Sequence, residues 1–595
     1  MPGTEATPKR GKWLAHAAHR HVRAVALPLI LALPPLFWII DATRRASLTT
    51  LGRDQGIFQY VAWAVAHGDV DYRDVRDVNG PLTHIVHMIF LALGGGDEHR
   101  FRSLDLLVTG LTFGLVGACL PGIARRARVP LVERAAWGFA GWVILSGQNL
   151  LYLYWDLAQR ETFANWFMLS SVALQLVAQR QLRGPRENGP LRAIIKRSPL
   201  LLVVGALSAI PWFGKPTYAL FTIVQVLALV LDDELGIPRA KALLVFAIGG
   251  AIGAATQLGF LLVYGDLGAF LQIYLVDVPT MYRFILPRSP QEILSLHWAG
   301  AIAALSLGTS LFMLGLIWDR QMPRRAIAIA LCPLVAIVGV LAQAKGFPYH
   351  FHPVSAALHV QWLVLVAWAW DRYRLAPRSR LFVRMIPFLA AGLLTTKIAS
   401  GMEASPHIQA IWILGKAGDA EERSSHDYLV YFRDRDFFPW EMRQTAAYLK
   451  EHTKPTDRVQ TYGMDPYVLF LAERHSATPY IYAYDLNADA AFGGSWMPNG
   501  VRPNAEQRAK IEALRSAHEA DMFARLQKAP PAAFVFFDKA PLLSSEDAFA
   551  DFVEHCPASG AWVREHYKET VAFGEDHVWL RNDLAEGVAR AGGNP

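Results

Sequence analysis

Long apolar runs separated by short polar or basic segments fill the chain up to about residue 396. A bilayer core takes about 20 apolar residues in helical form, and fewer where the ends are anchored. By that measure, spans are predicted near 24–40, 102–123, 135–154, 162–178, 199–213, 216–231, 242–264, 298–318, 326–342, 354–370 and 381–396. The first run carries no charge. It is too long for the apolar core of a cleaved leader and lacks a small-residue cleavage site, so it predicts a retained first helix. The run 81–93 has only 13 residues and two histidines, which predicts a helix lying at the interface. Just before it, Ile57, Phe58, Val61, Ala62 and Val65 fall on one helical face. They predict a surface-lying amphipathic helix that begins near Asp54 and ends at Gly68.

After Thr396 the pattern changes to mixed, charged and aromatic sequence. Strands are predicted at 458–462, 480–484, 533–537 and 578–581, with helices at 466–474 and 505–527. The fold class is thus a polytopic α-helical membrane protein of about 11 transmembrane helices, with interfacial helices in the first outer loop and a C-terminal extracytoplasmic α/β domain. The divisions are a basic N-terminus (1–23), a transmembrane domain (24–398, with the first outer loop at 41–101) and a soluble domain (399–595).

Composition agrees. The 595 residues are 53% hydrophobic and 18% charged, where soluble domains average about 25% charged. The net charge of +7 is spread in short clusters between apolar runs, a topology signal and not a nucleic-acid footprint. Clusters at Lys9–Arg23, Arg125–Arg128, Arg180–Arg197, Arg320–Arg325 and Arg372–Arg380 all fall on the inner side if the spans alternate strictly. The N-terminus is then cytoplasmic and the C-terminal domain lies outside, in a bacterial inner membrane the periplasm. Three scattered cysteines exclude a disulfide framework and a Cys-based zinc site. Gly94-Gly95-Gly96 follows no strand and is a turn, so no nucleotide-binding loop is present.

The outer loops hold the chemistry. Residues 51–82 carry Asp54, Asp69, Asp71, Asp74 and Asp77. Asp54 is either a helix N-cap or a catalytic acid. Asp74 and Asp77 are either turn-forming, solvated acids or substrate contacts. The seven-residue loop 155–161 brings Asp156, Arg160 and Glu161 together, as an interfacial salt bridge or as part of a site. Lys215, at a hairpin apex, either snorkels or meets a phosphate. Lys345, His350 and His352 make a compact cationic and imidazole group suited to phosphate; a metal is the alternative.

In order along the chain come Arg53-Asp54-Gln55-Gly56, Gly68, Tyr72-Arg73-Asp74, Asp77, Gly80-Pro81-Leu82, Arg102 and Asp105. This series resembles the C-type polytopic glycosyltransferases, specifically the protein O-mannosyltransferase and lipid A aminoarabinose transferase superfamily, over residues 24–400. The resemblance implies a polyprenyl-phosphate-linked sugar donor, a first outer loop lying on the membrane, and an essential aspartate at Asp54. It implies a second acid at Asp156 or Glu161, a lysine at Lys215, and a late loop with Lys345, Tyr349 and His350. The chain departs from the pattern at Gln55, where many relatives have a second acid, and at Asn79-Gly80-Pro81, where relatives often have Lys-Pro.

The expected function is transfer of a sugar from a polyprenyl-phosphate donor to an envelope acceptor, whether lipopolysaccharide or another glycolipid, a polysaccharide or a protein. No cofactor is certain; a divalent metal is the one such acids would accept, and its ligands are unknown. A transporter or flippase of polyprenyl-linked sugars is the alternative, and it predicts charges near mid-membrane. The spans are nearly free of charge, with Asp105 the main exception, close to the outer end. A non-catalytic envelope assembly factor is a third reading, in which Asp54 is dispensable.

Overall fold

The computed structural model describes residues 8–121, 123, 129–185, 189–375, 420–495 and 500–592. The predicted span at 381–396, the boundary at 398/399 and the basic residues Arg125, Arg126, Arg128, Arg186, Arg378 and Arg380 lie outside the described residues.

A helix stands at each of the other ten predicted spans. They are α1 (Pro8–Ala46), α4 (Glu98–Cys119), α5 (Leu131–Asn149), α6 (Arg160–Gln181), α8 (Leu200–Ala209, extended by a 3-10 turn to Phe213), α9 (Ala219–Leu231), α10 (Arg239–Val263), α14 (His297–Trp318), α15 (Ile327–Gln343) and α16 (His352–Leu375). Among the described residues, six helices are long and apolar enough to cross a membrane. A seventh is added if α7 (Leu191–Arg197) and α8, bent by 88°, form one broken span. The chain is a membrane protein. Where helices touch, small residues let the backbones meet: a Cβ on Gly205 of α8 would collide with the Phe246 carbonyl of α10.

The connecting segments separate into two sets. At one end Arg325 reaches Glu234 (2.9 Å) and the Ile123 carbonyl (3.0 Å), Arg183 also pairs with Glu234, and Arg324 faces Asp233 at 3.4 Å. At the other end lie the loops 41–101, 155–161, 214–216, 265–297 and 343–353, together with the C-terminal domain. The acids of the sequence pattern belong to this second set.

The first outer loop holds α2 (Arg53–Ala66) and α3 (Pro81–Gly94), with Gly95 in the left-handed conformation closing α3. The surface-lying picture of α2 needs correcting. Gln55 through Val65 are all buried, because the soluble domain packs on the face that the amphipathic pattern left over. Tyr467 of that domain lies against Gly56, and the Tyr60 hydroxyl accepts the Ser476 N–H at 2.7 Å. The 265–297 segment is a chain of short turns: α11 (Leu267–Gln272), a π-turn, α12 (Val278–Thr280), a 3-10 turn and α13 (Pro290–Ser295).

The soluble domain is built on a five-stranded mixed sheet of order β2-β1-β3-β5-β4, with β1 Arg458–Tyr462, β2 His475–Ser476, β3 Ala533–Phe537, β4 Tyr567–Phe573 and β5 Asp576–Arg581. β1 pairs in parallel with β2 and β3; β5 runs antiparallel to β3 and β4. Helix Ala505–Lys528 starts from a reciprocal Asn504/Gln507 cap. The predicted strand at 480–484 does not form. Its neighbourhood is consumed by other partners: Arg76 N–H takes the Pro479 carbonyl (3.0 Å), Gln460 takes the Tyr480 carbonyl (3.1 Å), and Ala483 N–H goes to Gly463 (2.9 Å). A helical turn, Tyr484–Asn487, follows.

Candidate active site

The site begins at the N-terminus of α2. Gly52, not Asp54, is the N-cap, and no side chain caps the helix by hydrogen bonding to N2 or N3. Asp54 therefore has no capping duty. Arg53 beside it is turned to the soluble domain, where it meets Asp465 (2.9 Å) and Asp436 (3.2 Å). The Gln55 amide is bonded through both its ends. Its Nε2 donates to the Trp155 and Leu157 carbonyls (2.7 and 2.6 Å), and its Oε1 accepts from Gly52 N–H at 2.6 Å. A carboxylate cannot donate to carbonyls. Gln55 thus clamps the second loop against Asp54, and buried Arg102 reinforces the clamp through the Thr50 and Tyr154 carbonyls (3.0 and 2.8 Å).

That loop presents three groups. Arg160 donates to the Asn79 Oδ1 and has the rings of Tyr349 (5.8 Å) and Phe58 (5.9 Å) near its guanidinium. Glu161 accepts from Lys215, which also donates to Gln343, and faces His350 Nε2 at 3.7 Å. Asp156 accepts the Tyr349 N–H. Its own carbonyl pairs with His352 Nε2 at 2.7 Å, and that ring stacks on Tyr152 at 3.8 Å.

These environments divide the acids. Burial pushes Asp54 above the usual carboxylate range, against the pull of Arg160 and Arg53. Burial, with Asp54 and Glu161 nearby, lifts Asp156 to about 7. Burial would raise Glu161 too, but Lys215 and Arg160 hold it below its ordinary value. Burial brings Lys215 down to about 8. Several buried atoms here have no hydrogen-bond partner: Glu161 Oε2, Arg160 Nε, His350 Nδ1 and Gln159 Oε1. Native interiors satisfy most such atoms, so this cluster holds polar groups free to bond a ligand.

The structure therefore brings Asp54, Asp156, Arg160, Glu161, Lys215, Tyr349 and His350 together. It takes apart the expected cationic group of Lys345, His350 and His352. Lys345 turns to the Tyr282 (3.0 Å) and Ile285 carbonyls and lies over the Tyr282 ring (4.7 Å), tying down the 265–297 segment. Asp74 forms a local turn, accepting from Val70 N–H (2.9 Å) and Arg73 (2.8 Å). Asp77 is not solvated; it is fully buried.

Its partner is a residue the sequence analysis passed over. His84, on α3, contacts Asp71 Oδ2 through Nδ1 (2.7 Å) and Asp77 Oδ2 through Nε2 (2.8 Å), with all three side chains wholly buried. A second missed contribution is aromatic. Tyr282, Tyr482 and Tyr484 converge beside Asp77, with Tyr482 stacked on Tyr484 (5.0 Å) and its hydroxyl donating to Asp77 Oδ1 (2.9 Å). The signal for Tyr482 and Tyr484 is the alternation of tyrosines over 480–484, a pattern that by itself predicts a strand. Arg76 completes the join, pairing with Asp277 (2.7 Å) and Asp485 (3.0 Å). Gly80 is needed where the loop enters α3, since a Cβ there would strike the Phe213 carbonyl. Among the described residues, no group of three or more His, Cys, Asp or Glu is arranged to hold a metal ion.

Acid-bearing helices follow the first span of an apolar bundle, beneath an α/β domain. Among solved structures, the chain shares the fold of ArnT from Cupriavidus metallidurans in the apo state, with a TM-score of 0.50 and 15% identity over 93% of this chain and 98% of that one. ArnT from the same organism bound to undecaprenyl phosphate gives 0.47 at 13% identity, over 93% and 98%. The apo oligosaccharyltransferase of Archaeoglobus fulgidus gives 0.42 at 14% identity, over 86% and 69%. No protein-family model matches the chain, and no curated protein matches it in sequence.

Proposed function

We propose that this membrane protein is an inverting glycosyltransferase. It would move a sugar from a polyprenyl-phosphate donor to an envelope acceptor (a glycolipid such as lipopolysaccharide, a polysaccharide or a protein) at the outer face of a bacterial inner membrane. The observation that carries the proposal is the convergence of Asp54, Asp156, Glu161, Arg160 and Lys215 from three separate loops at one end of an apolar bundle, with buried polar atoms among them left unpaired. An apolar bundle beside buried cations suits a lipid phosphate: the tail stays in hydrocarbon while the head meets charge. ArnT has been crystallised with such a lipid, undecaprenyl phosphate.

In this reaction Asp54 accepts the proton of the acceptor hydroxyl as its oxygen bonds to the anomeric carbon. The bond from that carbon to the phosphate oxygen breaks, and the electron pair leaves with the phosphate. Arg160 and Lys215 meet the charge that develops there. Attack opposite the leaving group inverts the anomeric centre. Asp156, lifted to about 7, is only partly ionised at neutral pH and so adds less negative charge beside Asp54 than an ordinary aspartate would. Tyr349 and His350 line the donor side, while Lys345, His352, Asp74 and Asp77 hold the surrounding loops.

Envelope glycans from three matched strains test this: a deletion, its wild-type complement, and an Asp54→Asn complement at equal membrane abundance. The expected result is loss of the same sugar unit in the deletion and Asp54→Asn strains, with the lipid-linked donor accumulating. A wild-type profile from Asp54→Asn overturns the assignment and brings the transporter and assembly-factor readings forward.

A further inference from the structure

Behind Arg160 runs an unbroken chain of hydrogen bonds. Its guanidinium donates to Asn79 Oδ1. Asn79 is itself immobilised on three sides. Its Nδ2 and its backbone N–H both donate to Asp77 Oδ1 (2.7 and 3.2 Å), and its carbonyl accepts the Tyr72 hydroxyl (2.8 Å). Asp77 is in turn held by Tyr482 on Oδ1 and by His84 Nε2 on Oδ2. His84 is anchored from the far side by Asp71, which also accepts Tyr72 N–H at 3.0 Å.

The contacts of His84 and Asp77 bear on the charge at the head of this chain. Ionised carboxylates only accept, so an imidazole touching one with each nitrogen must carry both protons. Asp77 takes four donors, a setting that keeps a carboxylate ionised. Burial opposes a charged ring, but Asp71 and Asp77 outweigh it and lift His84 to about 10. His84 and Tyr482 hold Asp77 below the usual carboxylate range against its burial, and Asn79 stands between that carboxylate and the Arg160 cation. The amide passes orientation through both its ends: Nδ2 is fixed by the acid, so Oδ1 can point only at the arginine.

We infer that Asn79, set by the Asp71–His84–Asp77 staple and capped by Tyr482 of the soluble domain, is a positioning residue that aims the Arg160 guanidinium at the phosphate of the donor. This rests on the glycosyltransferase reading above, in which Arg160 meets that phosphate. Asn79 touches no substrate; it acts only through Arg160.

The test is binding of undecaprenyl phosphate, without sugar, to the purified full-length protein in nanodiscs. Four variants are compared with wild type: Asn79→Ala, Asn79→Gln, Arg160→Gln and the Asn79→Ala/Arg160→Gln double. Losing a hydrogen bond to a charged group predicts about a tenfold weaker Kd for Asn79→Ala. Acting through one arginine predicts that the double variant falls within about twofold of Arg160→Gln. Asn79→Gln, which keeps the amide, recovers most of the loss. Wild-type affinity in Asn79→Ala overturns the inference, as do losses that multiply in the double variant or a glutamine no better than alanine. If wild type itself binds no undecaprenyl phosphate, the functional reading fails and the positioning role falls with it.

Discussion

Two buried clusters of acids and bases stand next to each other, linked through Asn79. The Asp71–His84–Asp77 cluster is closed. Both ring nitrogens are bonded, Asp77 takes four donors, and the aromatic ring of Tyr72 tilts against the imidazole at 5.5 Å. The Asp54–Arg160–Glu161 cluster is open. Glu161 Oε2, Arg160 Nε and His350 Nδ1 are buried without partners. The closed cluster lies in the body of the loop, between α3 and the soluble domain. The open one lies where loops from four parts of the chain meet. Composition alone would have ranked them the other way, since Asp-His-Asp looks more like chemistry than an aspartate near an arginine. A cluster with every bond made has nothing left for a substrate.

If that contrast is right, the two clusters break differently. The largest effect is expected from Asp54→Asn, which lowers transfer by about 10²–10⁴-fold with the thermal midpoint in detergent held or raised, because a buried acid has lost its charge. A transfer rate within a few-fold of wild type would move Asp54 out of the open site. Asp77→Ala reverses the pattern. It strands a buried imidazolium and two amide donors, at a cost of about 3–5 kcal/mol, and is read as loss of folded protein in the membrane before any kinetic defect. Stable accumulation with normal melting would show that the closed cluster is not a staple.

A smaller loss, about 2–3 kcal/mol, is expected from Gln55→Glu, which sets a carboxylate against the Trp155 and Leu157 carbonyls. Gln55→Met, which loses the bonds without adding charge, should cost less, and equal melting of the two variants would count against the clamp. The smallest effect depends on pH. Asp156 is lifted to about 7 in the folded chain from an ordinary value of about 3.9. Between those values the folded state holds a proton that the unfolded chain has released, so this group's contribution to stability falls as pH rises. Asp156→Asn should therefore raise the midpoint by a few degrees at pH 8 and leave it unchanged at pH 4. A shift of the same size at both pH values would refute the assignment.

The patterns that proved legible are the local ones. Helices stand at ten of the predicted spans, six of them among the described residues long and apolar enough to cross a membrane, because lipid demands length and apolarity from each helix by itself; helix Ala505–Lys528 and the strands β1, β3 and β5 announce themselves through period and composition. Asp54, Asp156, Glu161 and Lys215 could be nominated because charges beside an apolar bundle are few. Contacts made at a distance were not legible. The amphipathic stripe of α2 suggests one wet face, and only the docking of Tyr467 and Ser476, some 400 residues on, covers it. His84 sits in an apolar run with no sign that Asp71 and Asp77 will close around it. Lys345 and His352 look like a cationic pair until the fold hands each a backbone carbonyl. Hydrophobicity and periodicity are properties of a segment, so the sequence determines spans, helices and the short roster of candidate acids. Which of those acids is satisfied and which is left open depends on partners brought in by loop closure over hundreds of residues, and that was decided by the tertiary structure.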